Sequence, residues 1–357
     1  MRKVVQVLVV DDSELIRQLL SQIINSSDDM EVVGVAVDPY DARDKIKQLK
    51  PDVLTLDIEM PKMDGISFLR NLMKLRPMPV VMISTLTEKG APATLEALEL
   101  GAVDYLPKPK TDQMQGLQAY SLDILEKIRV AASANIYSME RAQRARTEIP
   151  VEREKASPFS FSPGRIIAIG ASTGGTEAIK EVLLGMPTDC PPIVLAQHIP
   201  PVFSTTYAER MNRLCDINVY EAEDGVKLES GCAYLAPGDY HLKIERKGNT
   251  YYTKLDHSDL VNRHRPAVEV LFDSVVESAA TKAVGILLTG MGRDGADALL
   301  RMRELGCNTI AQDEESSVVW GMPGAAVKIG AACDVLPLEK IFLKALHYCG
   351  KNNCGKI

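Results

Sequence analysis

A chain of 357 residues is longer than one hydrophobic core usually serves, so two domains are the first expectation. With 46% hydrophobic and 25% charged residues and a net charge of -7, it has an ordinary globular composition and no electrostatic footprint for nucleic acid, which disfavours a DNA-reading output domain. The opening apolar run Val4–Val10 is broken by Gln6 and stops at Asp11 and Asp12, far short of the ~20 residues of a membrane span, so neither membrane insertion nor a signal peptide is expected.

From Lys3 to about Arg129, short β-branched runs alternate with amphipathic stretches. The strand-like runs are Val4–Val10, Val32–Val37, Val53–Asp57, Val80–Ser84 and Val103–Leu106, separated by 3.6-period segments such as Ser13–Ile24 and Ser67–Leu75. Five strands alternating with helices predict a parallel, doubly wound α/β sheet covered on both faces.

Chemistry-bearing residues stand at the ends of these runs. Asp11 and Asp12 follow the first, and Asp57 closes the third in VLTLDIEMPKMDG. In an open α/β sheet those ends form the ligand crevice, so the acids should converge there. Left uncompensated they would repel one another, and a hard cation such as Mg2+ would relieve this. Ser84 ends the fourth strand with a hydroxyl, and Lys108, in YLPKPK, ends the fifth with a positive charge. Any one of the acids alone could be a helix N-cap, but the whole set on successive strand ends points to a phosphorylation site. Residues 1–130 resemble a response-regulator receiver domain with a flavodoxin-like five-stranded sheet. The resemblance implies Asp57 as phosphoacceptor, Mg2+ held by Asp11, Asp12, Asp57 and the backbone of Glu59, Ser84 as switch hydroxyl, Tyr105 as aromatic switch residue and Lys108 as phosphate sensor. It also implies a histidine kinase as phosphodonor.

Residues 139–163 are charged, then Ser/Pro-rich, without sustained periodicity, so 131–163 is expected to be a linker. Strand signals return at Ile166–Ile169, Ile193–Ala196, Cys232–Ala236 and Ala283–Thr289, with helical segments Thr176–Leu184, Ala267–Ala279 and Gly295–Leu305 among them. A second doubly wound α/β domain over 164–357 follows. The seven cysteines all fall after the linker and form no CxxC pair, which fits reduced thiols in the cytoplasm.

The stretch IIAIGASTGG runs a strand into a Gly-rich turn with Ser172 at its apex. Gly170-Ala171-Ser172-Thr173-Gly174 fits G-x-S-x-G, whose glycines would permit a tight, strained turn exposing the serine oxygen; the same turn could equally hold a phosphate on its N–H groups. A nucleophile needs a base and an orienting acid. Of five histidines only His198, in PPIVLAQHIPP, directly follows a buried-type strand, and Asp294 ends the glycine-laced loop of AVGILLTGMGRDG. Three candidates on three strand ends favour a Ser–His–Asp triad over a phosphate loop. The order Ser, His, Asp is not that of the α/β-hydrolases, which run Ser, acid, His.

The segments IGASTGG, AQHIP, YLAPGDYH, HRPAVEVLF, LLTGMGRDGA and WGMPGAA resemble the catalytic domain of the chemotaxis protein-glutamate methylesterases, over residues 164–348. That resemblance implies hydrolysis of glutamate methyl esters on methyl-accepting chemoreceptors, with glutamine deamidation alongside, and no cofactor for the esterase. It implies Ser172 as nucleophile, His198 as base, Asp294 as orienting acid and the backbone of the Met291 loop as oxyanion hole, and it suggests that the unphosphorylated receiver blocks access to the serine.

Overall fold

The structure is a computed structural model describing residues 4–84, 90–108, 114–136 and 160–351. Most of the expected linker, at 137–159, lies outside the described residues, as does Cys354. The chain divides into two compact units, Met1–Ala142 and Gln143–Ile357.

The first unit runs β1 (Val5–Val10), α1 (Glu14–Asn25), β2 (Met30–Ala36), α2 (Pro39–Leu49), β3 (Val53–Asp57), α3 (Gly65–Leu75), β4 (Val80–Ser84), α4 (Ala91–Glu99), β5 (Asp104–Pro107) and α5 (Met114–Ser133). Ile16, Leu20, Ile23 and Ile24, spaced three and four apart, give α1 the apolar stripe it buries. Helix α3 begins two residues before the expected Ser67 because Asp64 caps it, its Oδ1 accepting from the Ser67 N–H at 2.7 Å. The sheet is parallel in the order β2-β1-β3-β4-β5. Its winding reverses between β1 and β3, where Val10 stands opposite Leu56, so Asp11 and Asp57 emerge side by side.

The second unit comprises β6 (Ile166–Ala171), α6 (Gly175–Leu184), β7 (Ile193–Gln197), α7 (Pro201–Leu214), β8 (Asn218–Glu221), β9 (Cys232–Leu235), β10 (His241–Lys247), β11 (Thr250–Asp256), α8 (Val268–Ala279), β12 (Ala283–Leu287), α9 (Ala296–Glu304), β13 (Asn308–Gln312), α10 (Met322–Lys328), β14 (Asp334–Leu336) and α11 (Leu338–Cys349). Its seven-stranded sheet is parallel throughout, in the order β14-β13-β12-β6-β7-β9-β8. Strand β6 is central, with every residue buried, as its unbroken apolar run demands. Later strands add on one side of it through β7 and on the other through β12, so the reversal falls at β6. The antiparallel hairpin β10–β11 stands outside this sheet, joined by a turn over Gly248 and Asn249.

The glycines around Ser172 have separate tasks. Gly174 supplies the left-handed backbone of the turn (φ 75°). Gly170 serves packing: a Cβ there would meet Val268 Cγ1 at 2.2 Å, so its bareness lets the first turn of α8 close onto β6. Gly170→Ala should therefore destabilise the second unit by about 1–3 kcal/mol in urea unfolding, the range for forcing an extra methyl into a packed core. A change within error would show that α8 can retreat at no cost.

Candidate functional site

In the first unit the carboxylate oxygens of Asp11, Asp12 and Asp57 lie within 4.8 Å of one another. Asp11 and Asp57 are buried and Asp12 is exposed. Lys108 Nζ donates to Asp57 Oδ2 at 2.7 Å and lies 3.3 Å from Asp11 Oδ2. That oxygen of Asp11 is buried and accepts no well-directed hydrogen bond. A cluster of hard oxygen donors with one underused lone pair suits a hard divalent cation. Glu59 sits two residues past Asp57 and donates its N–H to Asp57 Oδ1 at 3.3 Å. Ser84, buried at the next strand end, accepts from Thr94 Oγ1 at 3.3 Å. The buried Tyr105 ring has Lys127 Nζ 5.3 Å from its centroid, and that ammonium also binds Asp104 at 3.0 Å.

In the second unit Ala171 of β6 stands opposite Gln197 of β7, so the next residues, Ser172 and His198, leave adjacent strand ends together. His198 Nδ1 lies 3.0 Å from Ser172 Oγ, and His198 Nε2 lies 2.8 Å from Asp294 Oδ2. Asp294 reaches the site from the other neighbour of β6, through the loop that follows β12. His198 and Asp294 are largely buried, with 8% and 3% of their side chains exposed, while Ser172 is half-buried.

The nitrogens of His198 are used in the reverse sense from the familiar serine-protease arrangement, in which Nε2 faces the serine. With an Nε2–H donated to Asp294, the lone pair on Nδ1 faces the serine hydroxyl. Asp294 accepts from four donors: His198 Nε2, the Val268 N–H at 2.6 Å, the Glu269 N–H at 3.2 Å and Asn262 Nδ2 at 2.8 Å. Two of these are free N–H groups of the first turn of α8, where the helix dipole favours an anion. Burial alone would raise the Asp294 pKa, but these bonds, led by His198, outweigh it and hold the carboxyl below its ordinary range.

The serine turn spends its amides internally. The Ser172 N–H donates to Thr289 O at 3.0 Å and the Gly175 N–H to Ser172 O at 2.7 Å, so two donors that a phosphate would need are engaged. Gly290, just before Met291, presses on the serine: a Cβ there would lie 2.8 Å from Ser172 Cβ. The Gly290 carbonyl accepts from the N–H groups of Gly321 and Met322, which pins this loop from below.

Several supporting residues had no sequence assignment. Gln197 Nε2 donates to Ser172 O at 2.9 Å, and Thr289 Oγ1 donates to Thr173 O at 3.0 Å, bracing the turn. His241 is fully buried; its Nε2 lies 3.0 Å from Asp259 O, and its Nδ1 accepts from the Ala267 N–H at 3.2 Å, which fixes the entry to α8. Asn262 and His264 come from a turn with no periodicity to mark it, though HRPAVEVLF contains the histidine. Arg265, next in that segment, is committed to Asp239 and the carbonyls of His257 and Ser258.

The Ser172–His198–Asp294 line at one strand edge and the acid cluster with a lysine at another have the arrangements of a serine hydrolase and of a receiver. A family model described as CheB methylesterase matches residues 167–344, and one described as response regulator receiver domain matches residues 7–119. The chain is 56% identical over 350 residues to protein-glutamate methylesterase/protein-glutamine glutaminase 2 of Saccharophagus degradans, covering 98% of this chain and 100% of that protein. It is 53% identical over 354 residues to protein-glutamate methylesterase/protein-glutamine glutaminase 1 of Hahella chejuensis, covering 98% of each. The CheB methylesterase catalytic domain of Thermotoga maritima superposes with a TM-score of 0.51 at 38% identity, covering 52% of this chain and 99% of that one. This chain belongs to the CheB methylesterase family, with an N-terminal receiver domain. No helix of the described residues is long and apolar enough to cross a membrane.

The acid cluster carries a pH signature. Burial pushes the Asp57 carboxyl up to about 6 from 3.8, against the pull of Lys108 and with the nearby Asp11 charge adding to the rise. A carboxyl with a raised folded pKa stabilises the fold below its unfolded value and loses that contribution as pH rises through the folded one. Asp57→Asn should therefore raise the receiver's melting temperature in metal-free buffer at pH 7.5, for a gain of up to about 3 kcal/mol of stability, and give no gain near pH 3.5. Calorimetry showing equal gains at both pH values would contradict this origin.

Proposed function

We propose that this chain is a phosphorylation-activated protein-glutamate methylesterase that also deamidates glutamines, acting in the cytoplasm on methyl-accepting chemoreceptors in chemotactic adaptation. The observation that carries the reading is the line Ser172 Oγ, His198 Nδ1, His198 Nε2, Asp294 Oδ2, with links of 3.0 and 2.8 Å.

Asp294, ionised and fully bonded, selects the Nε2–H tautomer and leaves Nδ1 as the base. Nδ1 takes the Ser172 proton as Oγ attacks the glutamyl ester carbonyl, and the Asp294 charge stabilises the imidazolium that forms. The oxyanion is held by backbone N–H groups of the loop containing Met291, which Gly290 keeps beside Ser172. The same proton on Nδ1 passes to the departing methoxide, giving methanol, or to the departing amide nitrogen of a glutamine, giving ammonia. Water, deprotonated at Nδ1, then hydrolyses the acyl-serine.

In the receiver, a chemotaxis histidine kinase donates the phosphoryl group to Asp57. Asp11, Asp12 and Asp57, with the carbonyl of Glu59, would hold Mg2+, which when bound screens charge between donor and acceptor. Lys108, already on Asp57 Oδ2, becomes the partner of the new phosphoryl oxygens, and Ser84 and Tyr105 respond as switch residues.

The test is methanol release from methyl-labelled chemoreceptor with and without acetyl phosphate and Mg2+. Ser172→Ala should abolish it, and Asp294→Asn should lower kcat by about 10^4-fold through the wrong tautomer. Asp57→Asn should lose the stimulation by acetyl phosphate. Release indifferent to Ser172 would return the second unit to an unassigned chemistry.

A further inference from the structure

Residues Val261 to His264 form a two-residue turn closed by both backbone bonds, the Val261 N–H to His264 O at 3.1 Å and the His264 N–H to Val261 O at 2.9 Å. Its central residues, Asn262 and Arg263, have φ of 52° and 69°, the left-handed pair of a tight primed turn. Asparagine tolerates that region, but an arginine there is held at a cost, and such backbone persists where the surroundings over-determine it.

The two side chains flanking that arginine both reach the triad. Asn262 Nδ2 donates to Asp294 Oδ1 at 2.8 Å. The His264 ring lies flat on the His198 ring, with centroids 3.6 Å apart and planes 15° from parallel. One turn thus touches the acid and the base from outside the line of proton transfer.

The triad's own hydrogen bonds leave a gap that this contact fills. The freedom left to the His198 ring is rotation about its Cβ–Cγ bond, which the bonds at Nδ1 and Nε2 resist only through their soft angular dependence. Such a rotation would carry Nδ1 and its lone pair off the line to Ser172 Oγ. A flat ring against its face blocks it. Asn262 performs a similar task for Asp294, sharing with the Glu269 N–H the oxygen that His198 does not use and adding a side-chain donor against turning of the carboxylate.

We propose that the Val261–His264 turn positions the triad, with His264 fixing the plane of His198 and Asn262 fixing that of Asp294. This rests on the Ser–His–Asp reading but not on the choice of substrate. His264 is a positioning residue, and what it supplies is a flat face, so phenylalanine should replace it and alanine should not.

The experiment uses the full chain and two readouts: the rate of Ser172 modification by phenylmethanesulfonyl fluoride, followed by intact mass, and methanol release from methylated receptor. His264→Ala should slow both by roughly tenfold, since small misplacements of a reacting group carry penalties of that size or larger. KM should stay within about twofold, so the loss falls on kcat. His264→Phe should recover at least half of the wild-type rate in both assays, and Asn262→Ala should lose several-fold. Unchanged melting temperatures would show that the variants fold. If His264→Ala reacts at the wild-type rate, or His264→Phe is as slow as alanine, the proposal is wrong. Labelling that follows the expected pattern without any methanol release would uphold the turn's role and overturn the esterase reading. Failure of wild-type Ser172 to react at all would remove both.

Discussion

Both units depend on one topological constraint. A parallel sheet that winds first to one side and then to the other must leave a crevice at the carboxyl ends of the strands where it reverses. In the first unit the reversal lies between β1 and β3, and Asp11, Asp12 and Asp57 surround it. In the second it lies at β6, and Ser172, His198 and Asp294 come from β6 and its two neighbours. The same geometric opening therefore hosts two unrelated chemistries, set by which side chains stand at the strand ends and in the loops that follow them.

At the second opening Asp294 is the member that costs most to install. A buried carboxylate is tolerable only with its lone pairs engaged, and here α8 supplies two N–H groups that no residue of its own helix could satisfy. The acid thereby caps the helix and the helix keeps the acid charged. Glu269 returns the favour, its Oε2 accepting the Gly295 N–H next to Asp294 at 3.1 Å. Gly170 and Gly295 both owe their missing side chains to Val268, whose close approach brings those N–H groups into range.

The strand ends were legible because each chemical residue directly follows a short apolar run, so Asp57, Ser84, Ser172 and His198 could be placed from the sequence to within a residue. Asp294 was legible by its turn, although β12 stops at Leu287 rather than Thr289, whose N–H leaves the sheet for Gln312 Oε1. Tertiary choices were not legible. Asn262 and His264 lie in a turn whose partners are distant in sequence, and nothing local announces which nitrogen of His198 meets the serine. The β10–β11 hairpin did have a signal, since HLKIERK and TYYTKLD alternate around Gly248-Asn249, a good two-residue turn. Strand β14, of three residues, is too short for any pattern to register.

The central position of β6 also governs how the second unit is made. Its run IIAIGA is uncharged, and one edge can pair as soon as β7 is synthesised, but the other has no partner until β12 emerges, after the hairpin and α8. A nascent chain leaving the ribosome therefore carries an unpaired, apolar β edge through most of the synthesis of this unit, the feature most prone to pairing with a neighbouring chain. The strand that holds the serine in the middle of the finished sheet is, during translation, an open sheet edge.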